Sequence, residues 1–149
     1  MVVNERASKI DAPAELVWAL IATHEGQRRA SRGFVAAMDF EGDGLGMVRT
    51  MRTEGHLGET SVVERCDHFD AAGMEMSYRI IDTGGFVPFA DYVGTAKVIR
   101  AGSGACILAL RSTFLPVDMG EAEAKAISEA NYTLFFDNVR AAATEQAVG

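Results

Sequence analysis

The run DYVGTAKVIRAGSGACILALRSTFLP, residues 91–116, decides the fold. Its two halves, near 91–101 and 105–115, are rich in Val, Ile, Thr, Tyr and Phe, and only AGSG separates their cores. Two such runs around a short glycine-bearing break read as antiparallel strands joined by a tight turn. After Pro116 the texture changes. Residues 120–147 hold Ala, Glu, Lys, Leu and Phe, with no proline and no glycine between Gly120 and Gly149. That stretch predicts a helix of about 25 residues, near 38 Å long at about 1.5 Å per residue. Ile127, Asn131, Leu134, Phe135, Asn138 and Ala142 fall along one side of it.

Upstream of the quoted run the strand pattern repeats. Strands are predicted near 34–41, 47–54, 58–69 and 73–82, with breaks at GDGLG, EGH, DAAG and TGGFVP. These breaks favour antiparallel pairing, because a parallel crossover needs about a dozen residues or more. Val2 to Ile10 reads as a first strand. Asp11 offers an N-cap, with Pro13 in the first helical turn. Leu16, Val17, Leu20 and Ile21 then recur at helical spacing. Gly26 reads as a stop, and the polar, basic stretch 27–32 as a second short helix or a loop. The expectation is an α+β chain: six or seven antiparallel strands, short helices after the first strand, and one long C-terminal helix.

The chain has 149 residues, which fits one domain spanning 1–149 that can bury roughly 70% of its unfolded surface without a staple. Its formal net charge of −7 argues against a nucleic-acid backbone as partner and against docking on anionic lipid. The two cysteines, Cys66 and Cys106, sit in separate strand-like runs with no C-x-x-C spacing, so buried free thiols are expected. The N-terminus is charged throughout and does not resemble a signal peptide. No apolar run is long enough to span a bilayer. These features read as a cytoplasmic protein, monomeric or homodimeric, with no integral membrane association. His24, His56 and His68 are scattered and lack metal-ligand spacing; no metal and no cofactor is expected.

Ile10–Trp18, Gly46–Arg49, Glu64-Arg65 with Ser77-Tyr78, Tyr92–Val98, Phe114 and Tyr132–Val139, taken in order, resemble the SRPBCC, or START-like, superfamily, and its polyketide cyclase/dehydrase-like bacterial branch in particular. Ile10-Asp11-Ala12-Pro13-Ala14-Glu15-Leu16-Val17-Trp18 is similar to the entry into that family's first helix. Gly46-x-Val48-Arg49 is similar to its G-x-x-R strand, and Glu64-Arg65 with Ser77-Tyr78 to its E-R and S-Y hairpin. Tyr92 to Val98, Phe114, and Tyr132 to Val139 resemble the later strands and the last helix. The likeness covers nearly the whole chain. It departs at Leu110, where a tryptophan is usual, and in Gln27–Gly33, where a bulky tryptophan is missing. The resemblance implies a helix-grip fold, a curved sheet wrapped around the long helix, with a ligand cavity between them. It does not imply one reaction, because such scaffolds carry binders, sensors and enzymes alike.

Strand parity points the same way. Alternation puts Thr60, Val62, Glu64 and Cys66 on one face, Met74, Met76, Tyr78 and Ile80 on the next strand's matching face, and Leu108, Leu110, Ser112 and Phe114 on the last. Methionine, aromatic and aliphatic groups with a few polar ones make either a ligand pocket or plain core. Arg49 shares parity with Met47 and Met51, so it faces a ligand, pairs with Glu64, or points to solvent. Glu64 is its natural counter-charge. Tyr78 and Tyr92 can offer phenolic hydrogen bonds, and Asn131 is the helix amide most directed at the sheet. Arg49, Glu64 and Tyr78 are therefore the catalytic candidates. Trp18, Met51, Met76, Leu110 and Phe114 are candidate ligand contacts. Phe86, Tyr92, Asn131 and Phe135 complete that set, Phe86 within a Thr83–Asp91 segment that could be a lid.

The leading expectation is a site for a small, largely hydrophobic molecule, aromatic, polyketide-like or lipid-like. A cyclase or dehydratase using Arg49 with Glu64 or Tyr78 is the alternative. A protein-interaction module using the outer sheet or Phe86 and Phe89 is the third.

Overall fold

The computed structural model describes residues 1–84 and 87–148. Seven strands form one antiparallel sheet: β1 (Val2–Ile10), β2 (Val35–Glu41), β3 (Val48–Thr53), β4 (Ser61–Asp70), β5 (Glu75–Asp82), β6 (Phe89–Arg100) and β7 (Cys106–Pro116). Their order is β1-β7-β6-β5-β4-β3-β2. Consecutive strands neighbour each other from β2 to β7, as short connections require, and β1 closes onto β7. Helices α1 (Ala14–Ala22) and α2 (His24–Ala30) follow β1, and α3 (Glu121–Val148) ends the fold. At 28 residues, α3 runs about 42 Å at ~1.5 Å per residue. This is the helix-grip α+β arrangement.

Two local expectations near the N-terminus need correction. Asp11 does not cap α1. Pro13 is the N-cap, in an extended conformation, and its carbonyl accepts from the Leu16 and Val17 amides at 3.1 and 3.2 Å. The Asp11 carboxylate instead lies 3.6 Å from the Lys9 ammonium, both exposed. Gly26 does not stop a helix either. Thr23 breaks the path between α1 and α2, donating its hydroxyl to the Ala19 carbonyl and accepting from the Gly26 amide. Gly26 sits inside α2, where a β-carbon would come within 2.5 Å of the Ala19 carbonyl oxygen. The glycine is there so that two helix backbones can touch.

The strands bury the predicted parity. Met47, Met51 and Thr53 on or beside β3, Val62, Glu64 and Cys66 on β4, Met76 and Tyr78 on β5, and Leu108, Leu110, Ser112 and Phe114 on β7 are all buried. Strand β6 begins at Phe89, earlier than the pattern suggested. A bulge between Ala90 and Val93, with Asp91 at φ 51°, lets both Phe89 and Tyr92 face inward despite their odd spacing. Along α3, Ala124, Ser128, Asn131, Tyr132, Phe136 and Val139 turn toward the sheet. Cys66 and Cys106 are buried free thiols. Among the described residues no helix is long and apolar enough to cross a membrane.

Candidate functional site

The apolar interior divides into three clusters. One joins α1, the near half of β7 and the end of α3 around Val17, Leu108 and Phe136. A second joins β2, β3 and the start of α3 around Met38, Phe114 and Ala124. The third holds Met47, Cys66, Met76 and Tyr78. Where they meet, a cavity of about 170 Å³ stays open.

The sequence makes this hollow at the middle of β6. There the inward residues are Gly94 and Ala96, which pair with Tyr78 and Met76 on one side and Ser112 and Leu110 on the other. Both line the cavity. Larger side chains at these two positions would reach into the space. A β-carbon on Gly94 would already stand 3.2 Å from the Tyr92 ring and hydroxyl.

One end of the cavity is polar. Arg49 and Glu64 are direct cross-strand partners on β3 and β4, and their side chains meet at 3.1 Å. Both are largely withdrawn from solvent, at 16% and 7% side-chain exposure. Arg49 also donates to Gln27 Oε1 at 2.8 Å, and its guanidinium lies 3.6 Å from the centre of the Tyr78 ring. Burial alone would make the guanidinium easier to deprotonate. Glu64 and Tyr78 more than offset that, so Arg49 is held above its ordinary pKa. Its Nε is buried with no hydrogen-bond partner.

Gln27 completes this group from α2. It is buried, accepts from both Arg49 and the Tyr78 hydroxyl (3.2 Å), and donates to the Ala22 carbonyl. Burial, first of all, pushes Tyr78 up to about 12, so its phenol stays protonated and is committed to Gln27.

A second polar patch lies on α3. Asn4 donates to Ser128 Oγ, and the Tyr132 hydroxyl donates to Ser112 Oγ, each at 2.8 Å. Burial pushes Tyr132 up to about 12, and Tyr92 well above its ordinary value. Next to these residues Asn131 is buried, and its Oδ1 has no partner.

Of the residues singled out from sequence, Arg49, Glu64, Tyr78, Met51, Met76, Tyr92, Leu110, Asn131 and Phe135 line this cavity. Trp18 and Phe114 do not. Trp18 packs 5.5 Å from the Phe69 ring at the far side of α1. Phe114 is fully buried behind the wall, against Phe89 and Tyr92 at 4.3 and 6.0 Å. Phe86 lies outside the described residues. Phe89 is not an exposed lid residue: it is buried on β6 and faces the cavity. His24 stacks on Phe40 at 4.1 Å and reaches Asp43, away from the cavity. Among the described residues no group of three or more His, Cys, Asp and Glu is placed to hold a metal ion.

Sequence reasoning missed Gln27, Gly94, Ala96 and Tyr132. Gln27 was hidden in a polar, basic stretch. The small pair was legible as a gap in the inward parity of β6.

A family model described as polyketide cyclase/dehydrase and lipid transport matches residues 1–144. No curated protein matches the sequence. Among solved structures, the protein XoxI from Bacillus cereus superposes with a TM-score of 0.83 at 20% identity, over 99% of both chains. The Zhui aromatase/cyclase from Streptomyces superposes at 0.80 and 20% identity, covering 98% of this chain and 95% of that one. Norcoclaurine synthase from Thalictrum flavum, in complex with dopamine and hydroxybenzaldehyde, superposes at 0.71 and 17% identity, covering 97% and 87%. At these identities the solved structures bear on the fold alone.

Proposed function

The chain belongs to the polyketide cyclase/dehydrase and lipid transport family, and on that premise we propose that its cavity receives a small, largely hydrophobic molecule of aromatic or polyketide-like type. The observation that carries this is the hollow itself. It is walled by Met51, Met76, Leu110 and Phe135, and has Arg49 at one end with an unpartnered Nε–H. A mostly apolar wall with a few placed polar groups is what recognition of such a molecule needs. The family description, polyketide cyclase/dehydrase and lipid transport, supports the choice of ligand class.

The test is native mass spectrometry of the purified protein for a co-purified small molecule, followed by thermal shifts with aromatic ketones, phenols and fatty acids. A ligand at about a hundred times its Kd stabilises the folded form by ~2.7 kcal/mol. The absence of any co-purified molecule together with no stabilising compound would sink the reading.

A second reading, cyclase or dehydratase chemistry, is favoured by the Arg49 geometry. A buried guanidinium with a free donor can stabilise a developing enolate oxygen. Glu64, at 3.1 Å from the guanidinium, would move the proton. In this scheme Tyr78 positions Arg49 through ring contact and keeps its own proton on Gln27. Loss of turnover in Arg49→Ala with ligand affinity retained supports it. Unchanged turnover in Arg49→Ala, Glu64→Gln and Tyr78→Phe rules it out.

A further inference from the structure

We infer that the cavity selects an uncharged, single-ring aromatic molecule bearing a hydroxyl group, and rejects carboxylates such as fatty acids. This rests on the reading of the cavity as a binding site and names what that site takes.

Charge at the cavity wall favours a neutral ligand. Among the described residues three charged side chains line the cavity: Arg49, Glu64 and Arg111. Arg111 is exposed and paired with Glu5 at 2.7 Å. Arg49 and Glu64 are withdrawn from solvent and cancel one another. An incoming carboxylate would find the buried Arg49 charge already neutralised, and would sit desolvated beside Glu64. A neutral molecule meets no such cost.

Two lining side chains carry unmet hydrogen bonds. Arg49 Nε is a donor without an acceptor, and Asn131 Oδ1 an acceptor without a donor. Arg49 and Asn131 line the cavity, and buried polar groups are normally satisfied, so a ligand seated against these two side chains would supply the missing partners. A carbonyl or ether oxygen answers Arg49. A hydroxyl answers Asn131, whichever way the carboxamide is turned, because it both donates and accepts.

The space suits one ring. The cavity of about 170 Å³ is close to an apolar cavity of about 150 Å³ that takes benzene. It falls well below the roughly 300 Å³ at which drug-sized sites begin. One substituted ring fills it; a long acyl chain would have to run out through the open mouth.

The experiment is calorimetric titration of the full chain with three matched probes: acetophenone, para-hydroxyacetophenone and para-hydroxybenzoate. It is run at mildly acidic pH, where the phenols are neutral and the benzoate is ionised. The hydroxyketone is expected to bind at least tenfold tighter than either of the others. Asn131→Leu should erase its advantage over acetophenone. Glu64→Gln, which frees the Arg49 charge, should erase or reverse its advantage over the benzoate. Three probes bound alike, or the benzoate bound best by the unaltered chain, would overturn the inference while leaving the cavity a binding site. Binding of none of them would overturn the inference, while the co-purified ligand and the wider thermal-shift set decide the binding reading separately. Should Glu64→Gln not fold, the affinity ratios of the unaltered chain still decide.

Discussion

Replacing Ala96 by leucine asks whether the space beneath β6 is empty in solution. Ala96 lies between Met76 and Leu110 in the sheet, and all three face the cavity. The substitution adds three carbons. Set into an empty apolar hollow, they are worth about 0.8 kcal/mol each, or roughly 2 kcal/mol in all. For a chain of this size that raises Tm by about 4–8 °C. Set into a filled interior, the same carbons force neighbours off their rotamers and cost about 1–3 kcal/mol. The sign of the change therefore decides, and the two outcomes stand several kcal/mol apart. The assay is urea denaturation of both proteins after refolding from denaturant, so that no carried-over ligand contributes. Ala96→Leu should also weaken aromatic probes by tenfold or more. A loss of stability on this substitution would mean that the protein's own side chains close the space, and the argument for a binding cavity would fail.

Alkaline titration probes the polar ends. Tyr78 and Tyr132 are each raised from 10.0 to about 12 by burial. Folding thus favours the protonated phenols, so their contribution is intact below pH 10 and is lost as pH climbs through 12. Stability followed by urea denaturation should fall steeply across that window, and less steeply in Tyr78→Phe; an identical slope in the variant would refute the assignment. Gly26→Ala should destabilise by about 1–3 kcal/mol despite a helix-propensity gain of up to ~1 kcal/mol, because its β-carbon would press on the Ala19 carbonyl at 2.5 Å. An unchanged or higher Tm in thermal denaturation would count against that close approach.

The strands were legible because the sheet has one buried face. Once alternation is read on β4, β5 and β7, the inward set follows, and Glu64 is on it; Arg49 on β3 is placed by its register opposite Glu64, which alternation alone left open. What parity cannot supply is depth. Phe114 and Leu110 share a face of β7, yet one lies behind the wall and the other on it. That difference depends on what the neighbouring strand and α3 place opposite each of them. Trp18 stands off the cavity for a related reason: α1 meets the sheet at one end, so its tryptophan reaches Phe69. Gln27 was invisible because glutamine beside Arg28 and Arg29 reads as solvated surface. Its burial follows from the Thr23 break, which swings α2 across the polar end of the cavity.

The pairing of β1 with β7, Val2 opposite Phe114 and Ile10 opposite Cys106, has a cost in time. At about 5–20 residues per second, the first strand leaves the ribosome some 5–20 seconds before its partner exists. Until then its backbone donors and acceptors on that side have only water, and the hairpins from β2 onward can assemble without it. Closing so long a loop is entropically expensive. The nascent chain therefore spends that interval with an unpaired edge of apolar and polar residues, when aggregation or chaperone capture competes most strongly with folding.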